Sequence, residues 1–277
     1  MQRYFLNKVV WITGASSGIG EAVAYSLAAQ GARLILTSSS EEKLLRVAHR
    51  CREHPCKVHI LCCDLSLTPR LPDLVERAWR IYGCVDILFN NAGISQRGSV
   101  IDTRMEVLRK VMELDFFAPV ELTRAILPLM IRSGGGQLVT TTSIAGRFGF
   151  PLRGGYSAAK HALYGFFETV EAEYHGQGIR VTMVCPGRVN TAISMNALES
   201  DGSRHGLMDP GQAQGISSEK AARIILRAVS RRKREVLVGG RELLMVPLKR
   251  LCPSLCARLA RKVSQVEDSC STQKSHN

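Results

Sequence analysis

The segment Thr13-Gly14-Ala15-Ser16-Ser17-Gly18-Ile19-Gly20 follows the apolar run Lys8-Val9-Val10-Trp11-Ile12 and opens a helical pattern. This order predicts a strand, a glycine turn and the N-terminus of a helix. The first turn of a helix has unpaired backbone N–H groups and the positive end of the helix dipole, which suit the pyrophosphate of a dinucleotide. Glycine permits both the tight turn and the close approach of phosphates. The alternative is a tight strand-to-helix turn that binds no ligand.

Apolar runs rich in β-branched residues alternate with segments of helical length along the rest of the chain. The helical segments repeat apolar residues at spacings of three and four, as in Leu163, Phe166, Phe167 and Val170. This alternation predicts an α/β fold, a single Rossmann-type doubly wound parallel sheet with helices on both faces. The predicted strands span residues 9–13, 33–37, 57–63, 87–90, 137–142, 180–185 and 235–238. Ligands of such sheets bind beyond the carboxyl ends of the strands.

Length and composition indicate a globular protein. The chain has 277 residues, of which 45% are hydrophobic and 22% charged, and no apolar run reaches the length of a membrane span. Few residues precede the first strand, so we expect no signal peptide. The nine cysteines are scattered and lack zinc-site spacing, so we expect neither a disulfide framework nor a metal site. We therefore expect a cytoplasmic protein.

We expect two parts along the chain. Residues 1–240 form the dinucleotide-binding and catalytic domain. Within it, residues 192–216 are rich in Gly, Ser and Met and form a substrate lid, before a helix that begins near Ser217. Residues 241–277 form a basic amphipathic C-terminal tail.

Positive charge is concentrated near the C-terminus. The formal net charge is +13, and residues 231–262 hold ten Lys/Arg against two acidic residues, which gives +8. Pro253 can open a helix with Leu255, Leu259 and Val263 on one side and Arg258, Arg261 and Lys262 on the other. Such a helix can contact an anionic membrane surface, or it can cover its own domain or another subunit. No nucleic-acid motif accompanies the charge, so we expect no nucleic-acid partner.

Three polar residues near the predicted carboxyl edge fit acid-base chemistry. Tyr156 and Lys160 are four residues apart, so they share one face of a helix. A lysine ammonium favours the phenolate form and predicts a lowered pKa for Tyr156. Ser143 follows the fifth strand and can donate a hydrogen bond to a substrate carbonyl oxygen. Taken singly, each residue has a structural explanation: helix packing, a solvated lysine and a turn hydroxyl.

These motifs together resemble those of the short-chain dehydrogenase/reductase family over about residues 6–240. The resemblance rests on T-G-x-x-x-G-x-G at 13–20, N-N-A-G at 90–93, the Ser143, Tyr156 and Lys160 set, and Pro186-Gly187 with Thr191. Within the family, the chain is similar to the dehydrogenase/reductase member 7 group. That narrower resemblance rests on Asn91-Ala92-Gly93-Ile94-Ser95 with Arg97-Gly98, and on Asp201-Gly202-Ser203-Arg204 with Met208-Asp209.

The resemblance implies contacts for a nicotinamide cofactor. Tyr156 would transfer the proton, Ser143 would orient the carbonyl, and Lys160 would tune the tyrosine and bind the nicotinamide ribose. The implied cofactor contacts are Gly14, Ser16, Ser17, Gly18, Ile19 and Gly20 at the pyrophosphate, Asp64 and Leu65 at the adenine, Asn90, Asn91, Ala92 and Gly93 at the adenosine ribose, and Val189 and Thr191 at the carboxamide.

Asp115 departs from the family pattern. Members of the family usually place an asparagine here, where it helps hold a proton-relay water near the lysine. A carboxylate accepts a hydrogen bond but cannot donate one as an amide does. Its negative charge also offsets part of the effect of Lys160 on Tyr156. We therefore predict that Asp115 raises the pH at which proton transfer is fastest.

The end of the second predicted strand bears on cofactor preference. An acidic residue there binds the ribose hydroxyls of NAD and repels a 2′-phosphate. Here Ser38 and Ser39 stand in its place, so NADP(H) is favoured and NAD(H) stays an alternative. Arg33 or Lys43 is expected to reach the phosphate.

The sequence favours an NADP-dependent oxidoreductase that acts on a lipophilic ketone or aldehyde, or on the matching secondary alcohol. An apolar wall of Ile144, Phe148, Phe150, Ile193 and Met195 would bind that substrate, although these residues can equally pack against helices. The alternative function is a catalytically weak dinucleotide-binding sensor or scaffold. The resemblance further implies a homodimer or homotetramer assembled through helices near residues 109–131 and 157–175.

Overall fold

Seven parallel strands form one sheet in the computed structural model, which describes residues 2–261. Their spatial order is β3-β2-β1-β4-β5-β6-β7, and each neighbouring pair is parallel. The strands are β1 (Val9–Thr13), β2 (Arg33–Ser38), β3 (Val58–Cys62), β4 (Ile87–Asn90), β5 (Gly136–Thr141), β6 (Ile179–Pro186) and β7 (Glu235–Val238). The predicted doubly wound α/β fold is confirmed, and the strand ends differ from the predicted ones by one residue at most.

Helices connect the strands and cover both faces of the sheet. They are α1 (Gln2–Phe5), α2 (Gly18–Ala28), α3 (Glu41–Cys51), α4 (Leu71–Tyr82), α5 (Met105–Met112), α6 (Ala118–Arg132), α7 (Gly154–Tyr174), α8 (Pro210–Ala213), α9 (Ser218–Ser230) and α10 (Met245–Leu251). A π-helical turn, Glu113–Phe117, joins α5 to α6 without a break. Ser217 caps α9 by accepting a hydrogen bond from the Lys220 amide, which agrees with the predicted helix start.

Alternating side chains of β1 divide the core into two layers. Val10 and Ile12 pack with α2, α3 and α9 on one face, whereas Val9 and Trp11 pack with α4, α6 and α7 on the other. All five residues of β1 are buried, as expected for a strand covered on both faces. This central strand therefore fixes the position of the glycine turn that follows it.

The described part of the C-terminal segment packs against the rest of the fold. After the short turn Arg241–Leu244 and α10, residues 253–261 are helical, and this helix begins at Pro253 as predicted. Cys256 is buried in an apolar cluster with Ile144, Phe148 and Cys185. The predicted contributions of Lys262 and Val263 lie outside the described residues. Between residues 2 and 261, no helix is long and apolar enough to cross a membrane.

Candidate active site

The glycine turn leaves space for phosphate at the N-terminus of α2. Gly14 has a φ of +63°, a backbone conformation that favours glycine. A Cβ added at Gly20 would overlap the Gly14 carbonyl oxygen and lie 2.6 Å from the Asn91 amide nitrogen. Ser17 occupies the N-cap but its side chain caps no backbone N–H. The open N–H groups and the closely packed glycines therefore fit a pyrophosphate.

Side chains at the ends of β1 and β4 hold the two strands together. The Thr13 hydroxyl donates to the Phe89 carbonyl at 3.0 Å and accepts from the backbone amides of Asn91 and Ala92. The Asn91 side chain donates to the Thr13 carbonyl at 3.2 Å, and the Asn90 side chain donates to the Thr123 hydroxyl at 3.2 Å. The N-N-A-G motif thus fixes the floor of the cofactor cleft.

Residues predicted to bind the adenosine lie after β2 and β3. Asp64 is exposed and accepts hydrogen bonds from Ser66, while Leu65 is buried. The Ser38 hydroxyl is engaged with the backbone of Ser40, and Ser39 is exposed. These positions lie at the carboxyl edge of the sheet, as the motif order requires.

Arg33 does not lie near this edge, so the prediction that it reaches a phosphate is wrong. It begins β2, where it pairs in register with Val9 at the start of β1. Its Nε donates to the Asn7 carbonyl at 3.0 Å, and its guanidinium lies over the Tyr82 ring. A residue that begins a parallel strand lies at the opposite edge from the glycine turn. Lys43, in the first turn of α3, remains on the correct side.

Ser143, Tyr156 and Lys160 come together at the carboxyl ends of β5 and β6. Tyr156 and Lys160 lie on one face of α7, and the Lys160 ammonium is 5.5 Å from the centroid of the Tyr156 ring. The same ammonium donates to the Thr141 carbonyl at 3.2 Å, which ties it to the end of β5. Ser143 is within hydrogen-bonding reach of the Tyr156 hydroxyl and accepts from the Ala145 amide at 3.1 Å. All three side chains are largely buried.

The π-helical turn brings Asp115 to this cluster. Its Oδ1 accepts a hydrogen bond from the Ile94 amide at 2.8 Å, and its Oδ2 lies 3.0 Å from the Lys160 ammonium. Oδ2 makes no aligned hydrogen bond, so the contact with Lys160 is an ion pair. Both side chains of the pair are almost fully buried. π-Helical turns occur frequently at functional sites, and this one aims a carboxylate at Lys160.

Burial and charge act in opposite directions on these groups. Burial raises the pKa of Tyr156, Lys160 lowers it, Asp115 raises it, and the net direction is upward. Burial lowers the pKa of Lys160, but Asp115 and Tyr156 raise it above its usual range. The predicted lowering of the Tyr156 pKa is therefore wrong for this state, because the prediction considered the lysine and not the burial. The predicted opposing effect of Asp115 agrees with the structure.

Val189 and Thr191 follow β6 and face the glycine turn. A Cβ added at Gly18 would lie 3.0 Å from the Thr191 methyl carbon, so the two segments are in contact. The Gln212 side chain donates to the Val189 carbonyl and, at 3.4 Å, to the Thr191 hydroxyl. Gln212 was absent from the predicted site. It ties α8, near the end of the predicted lid, to the residues that precede that segment.

The predicted apolar wall is only partly available to a substrate. Ile144 and Phe148 pack in the cluster that contains Cys256, and Phe150 contacts the same cluster. The Phe148 and Phe150 ring centroids are 5.6 Å apart. Of the two options left open by the sequence, packing against a helix therefore holds for Ile144 and Phe148. Ile193 is partly buried and Met195 is 39% exposed, so the lid side of the wall is more open.

A separate groove of about 430 Å³ lies between α9 and β7, away from the Tyr156 cluster. Five basic residues surround an apolar floor there, namely Lys220, Arg223, Arg227, Arg231 and Lys233. It shares no residue with the cofactor cleft. The basic charge seen in the sequence thus includes a stripe on α9 as well as the C-terminal segment.

The fold, the glycine turn and the buried serine, tyrosine and lysine define a class of protein. The family model described as short chain dehydrogenase matches residues 8–202. The chain belongs to this short-chain dehydrogenase/reductase family, whose members are oxidoreductases.

Curated relatives match over most of their length. The chain is 39% identical to a Xenopus tropicalis protein named Dehydrogenase/reductase SDR family member 7B, over 96% of this chain and 90% of that one. It is 38% identical to a Drosophila melanogaster protein named Dehydrogenase/reductase SDR family protein 7-like, over 90% of this chain and 78% of that one. The resemblance to the member 7 group is therefore confirmed.

Solved structures of the family share the fold. A short-chain dehydrogenase/reductase from Burkholderia phymatum, in complex with NAD, matches with a TM-score of 0.80 and 25% identity over 91% of this chain and 96% of that chain. A metagenomic short-chain oxidoreductase in complex with NADP matches with a TM-score of 0.70 and 26% identity over 85% and 98%. Relatives of this fold thus bind either nicotinamide dinucleotide.

Proposed function

We propose that the protein is an NADP(H)-dependent oxidoreductase that interconverts lipophilic ketones or aldehydes and their alcohols. The observation that carries this proposal is the burial of Ser143, Tyr156 and Lys160 together. Hydrogen bonds through Thr141 and Asn91 connect this cluster to the glycine turn. When bound, the nicotinamide supplies or accepts a hydride at the carbonyl carbon. The Ser143 hydroxyl donates to the carbonyl oxygen, and Tyr156 gives that oxygen its proton or, in the oxidation, takes it back.

Lys160 assists Tyr156 through charge. Burial disfavours the phenolate, and the adjacent ammonium counteracts that penalty. Its contacts with the Thr141 carbonyl and Asp115 hold the ammonium 5.5 Å from the centroid of the Tyr156 ring. The same ammonium would bind the nicotinamide ribose. Lys160 therefore orients the cofactor and makes proton transfer possible at a buried tyrosine.

The preference for NADP(H) is supported by the end of β2. No acidic residue stands at Ser38 or Ser39, and the Lys43 side chain is exposed in the adjoining first turn of α3. Glu41 and Glu42 share that turn and oppose a phosphate, so the preference rests on the balance of these charges. We expect a higher kcat/KM with NADPH than with NADH.

A screen of lipophilic ketones, aldehydes and secondary alcohols with both cofactors tests the proposal. Cofactor oxidation or reduction that depends on the carbonyl or alcohol supports it. The rival function is a dinucleotide-binding sensor or scaffold, which the ion pair between Asp115 and Lys160 favours because that pair restrains the lysine. Binding of NADPH without turnover across the whole panel would support the rival.

Replacing Asp115 with Asn is expected to move the pH–rate profile to lower pH. The carboxylate raises the pKa of Tyr156, so removing its charge lowers the pH at which the phenol ionises. The part of the pH–rate profile that is controlled by ionisation of Tyr156 then shifts to lower pH, for both reduction and oxidation. Measurement of kcat/KM against pH with a fixed substrate checks this.

A matched control for that experiment is Glu113→Gln. Glu113 lies in the same π-helical turn, but its carboxylate accepts a hydrogen bond from the Thr68 hydroxyl and lies outside the cluster. We expect its profile to follow the wild type. Coincident profiles for Asp115→Asn and the wild type would show that Asp115 does not tune the tyrosine.

We also propose that the C-terminal segment contacts anionic membrane surfaces while packed on its own domain. Leu251 is 83% exposed, and Leu244, Leu255 and Leu259 are exposed near Lys249, Arg250, Arg258 and Arg261. Exposed leucines beside cations are typical of peripheral membrane contact. Leu251→Glu is expected to reduce pelleting with phosphatidylserine vesicles. Equal pelleting of this variant and the wild type would reject the contact.

Homo-oligomerisation is common in the family, and we propose a homodimer or homotetramer through α5, α6 and α7. Phe117 is 47% exposed at the junction of α5 and α6, and the ring of Phe116 in the π-helical turn contacts that of Phe166 in α7. Sedimentation equilibrium measures the assembly, and a monomer at all concentrations would reject it.

A further inference from the structure

The loop that follows β6 borders the space between the glycine turn and Tyr156. Its residues 187–191 begin at the carboxyl end of β6, and the cluster that contains Tyr156 lies at the same edge of the sheet. The loop also touches the glycine turn, because a Cβ added at Gly18 would lie 3.0 Å from the Thr191 methyl carbon. A dinucleotide with its pyrophosphate at the turn and its nicotinamide beside Tyr156 would therefore pass along this loop.

The segment that leads into α9 holds part of this loop. The Arg188 carbonyl accepts a hydrogen bond from the Ile216 amide at 3.0 Å, and the Asn190 amide donates to the Ile216 carbonyl at 2.9 Å. The Val189 carbonyl accepts from the Gln212 side chain, and the Val189 side chain is buried in the apolar core. Backbone pairing and packing therefore fix the loop from this segment.

The Glu242 carboxylate ties the same loop to the C-terminal segment. Glu242 lies in the short turn Arg241–Leu244, and its Oε1 accepts from the Arg188 amide at 2.7 Å and from the Gly240 amide at 2.8 Å. Burial raises the pKa of Glu242, but these backbone amides lower it, and the net direction is downward. The group is therefore a carboxylate at neutral pH, and both hydrogen bonds are charge-assisted.

Glycine residues permit this carboxylate to lie against the ends of two strands. A Cβ added at Gly187 or at Gly239 would lie 2.4 Å from Glu242 Oε1, which is too close for two non-bonded atoms. The Gly187 amide donates to the Val238 carbonyl at 2.8 Å, so β6 and β7 stay paired up to this point. The carboxylate therefore bridges the ends of β6 and β7 where the loop begins.

The turn that carries Glu242 is anchored beside the residues that follow Ser143. Leu243, the next residue, packs on the apolar cluster that includes Ile144 and Cys185. Ile144 directly follows Ser143 in the chain, and Cys185 lies in β6. The Glu242 carboxylate is thus presented to the loop by a turn that is itself packed against the core of the site.

We propose that Glu242 is a positioning residue for the nicotinamide half of the cofactor, because its carboxylate fixes the Arg188 amide and with it the loop that the nicotinamide passes. This inference rests on the proposed nicotinamide cofactor. The adenosine half is assigned to the ends of β2 and β3. In the strand order, β2 lies four strand spacings from β6, which is about 19 Å. Loss of Glu242 is therefore expected to weaken binding of the nicotinamide half and to leave the adenosine half unaffected.

Binding measurements on Glu242→Ala test this inference without turnover. The Kd for NADPH is expected to rise about tenfold, as for loss of one modest charge-assisted hydrogen bond. The Kd for 2′-phospho-ADP-ribose, which is NADPH without its nicotinamide, is expected to match that of the wild type. Glu242→Gln keeps an oxygen that can accept both hydrogen bonds, so its Kd for NADPH should fall between those of Glu242→Ala and the wild type. Isothermal titration calorimetry measures all of these constants.

Glu171→Ala is the matched control. The Glu171 carboxylate also accepts a hydrogen bond from a backbone amide of β6, that of Val181, but near the start of the strand. The start of a parallel strand lies at the opposite edge of the sheet from the cofactor cleft. Glu171→Ala therefore removes the same kind of contact from the same strand, and it is expected to bind NADPH and 2′-phospho-ADP-ribose as the wild type does.

Gly187→Ala is a second variant that leaves Glu242 in the chain. Its added Cβ overlaps Glu242 Oε1 and displaces the carboxylate from the Arg188 amide. We expect the same selective loss of NADPH affinity. This variant replaces Glu242→Ala in the comparison if the latter does not fold.

Equal losses of affinity for NADPH and 2′-phospho-ADP-ribose, or no loss for either, would overturn the inference. If the wild type binds NADH more tightly than NADPH, the comparison uses NADH and ADP-ribose with the same expected outcome. A wild type that binds the cofactor but converts no carbonyl compound contradicts the proposed function, and the two affinities still decide the role of Glu242. A wild type that binds neither cofactor overturns both.

Discussion

Tyr156→Phe is expected to lower kcat by about 10²–10⁴-fold, the range that a positioned acid-base group contributes. The variant keeps the buried ring and its packing but loses the hydroxyl that contacts Ser143. NADPH affinity should stay close to that of the wild type, because the glycine turn and Lys160 are untouched. Single-turnover rates and a fluorescence titration with NADPH separate the two effects.

The chain contains a matched control for this variant. Tyr164 lies two helical turns further along α7, and its hydroxyl contacts the Thr142 hydroxyl at 2.9 Å and the Glu235 carboxylate at 2.9 Å. Tyr164→Phe likewise removes a tyrosine hydroxyl, but one that bonds Thr142 and Glu235. This variant should leave kcat unchanged and lower the free energy of unfolding by about 1 kcal/mol. Equal activity of Tyr156→Phe and Tyr164→Phe would eliminate Tyr156 as the proton donor.

Lys160→Met is expected to remove activity and to lower the free energy of unfolding by about 3–5 kcal/mol at neutral pH. The substitution keeps most of the side-chain volume but leaves the buried Asp115 carboxylate without its cation. Urea unfolding of the variant and the wild type measures the difference.

The double variant Lys160→Met with Asp115→Asn separates stability from catalysis. Removing both charges should recover most of the lost stability, since no uncompensated carboxylate remains. Activity should not recover, because no ammonium then assists Tyr156 or binds the ribose. A single Lys160→Met variant that unfolds at the wild-type urea concentration would show that the ion pair does not stabilise the fold.

The strands and the clustering of Ser143, Tyr156 and Lys160 could be predicted because their signals are local. Buried parallel strands appear as apolar β-branched runs, and the spacing of Tyr156 and Lys160 fixes a shared helix face. Because all strands are parallel, their carboxyl ends lie at the same edge of the sheet. The positions of Ser143 and the glycine turn follow from that topology alone.

Contacts between distant segments could not be predicted from spacing. Asp209, for example, pairs with Arg97, more than one hundred positions away, and with Arg153, more than fifty positions away. The π-helical turn around Asp115 has no pattern of its own in the sequence, although an asparagine-to-aspartate departure marked the position. Arg33 was misplaced because charge was considered without the direction of its strand.

The pKa of Tyr156 shows why burial must be known before charge is interpreted. One lysine four residues away predicts a more acidic phenol, but burial and Asp115 act against it. The sequence reveals that Tyr156 and Lys160 are neighbours, but it does not reveal how deeply they are buried. The packing of 245–256 on Ile144 and Phe148, which adds to that depth, is likewise a tertiary feature.

Isotope transfer shows whether the protein delivers a hydride from NADPH to a carbonyl carbon. The protein is incubated with NADPH deuterated at C4 of the nicotinamide and with a lipophilic ketone from the screen, and the alcohol is analysed by mass spectrometry. We predict deuterium on the carbinol carbon with the wild type and its near absence with Tyr156→Phe. Tight NADPH binding by the wild type without deuterated alcohol from any ketone or aldehyde would contradict it.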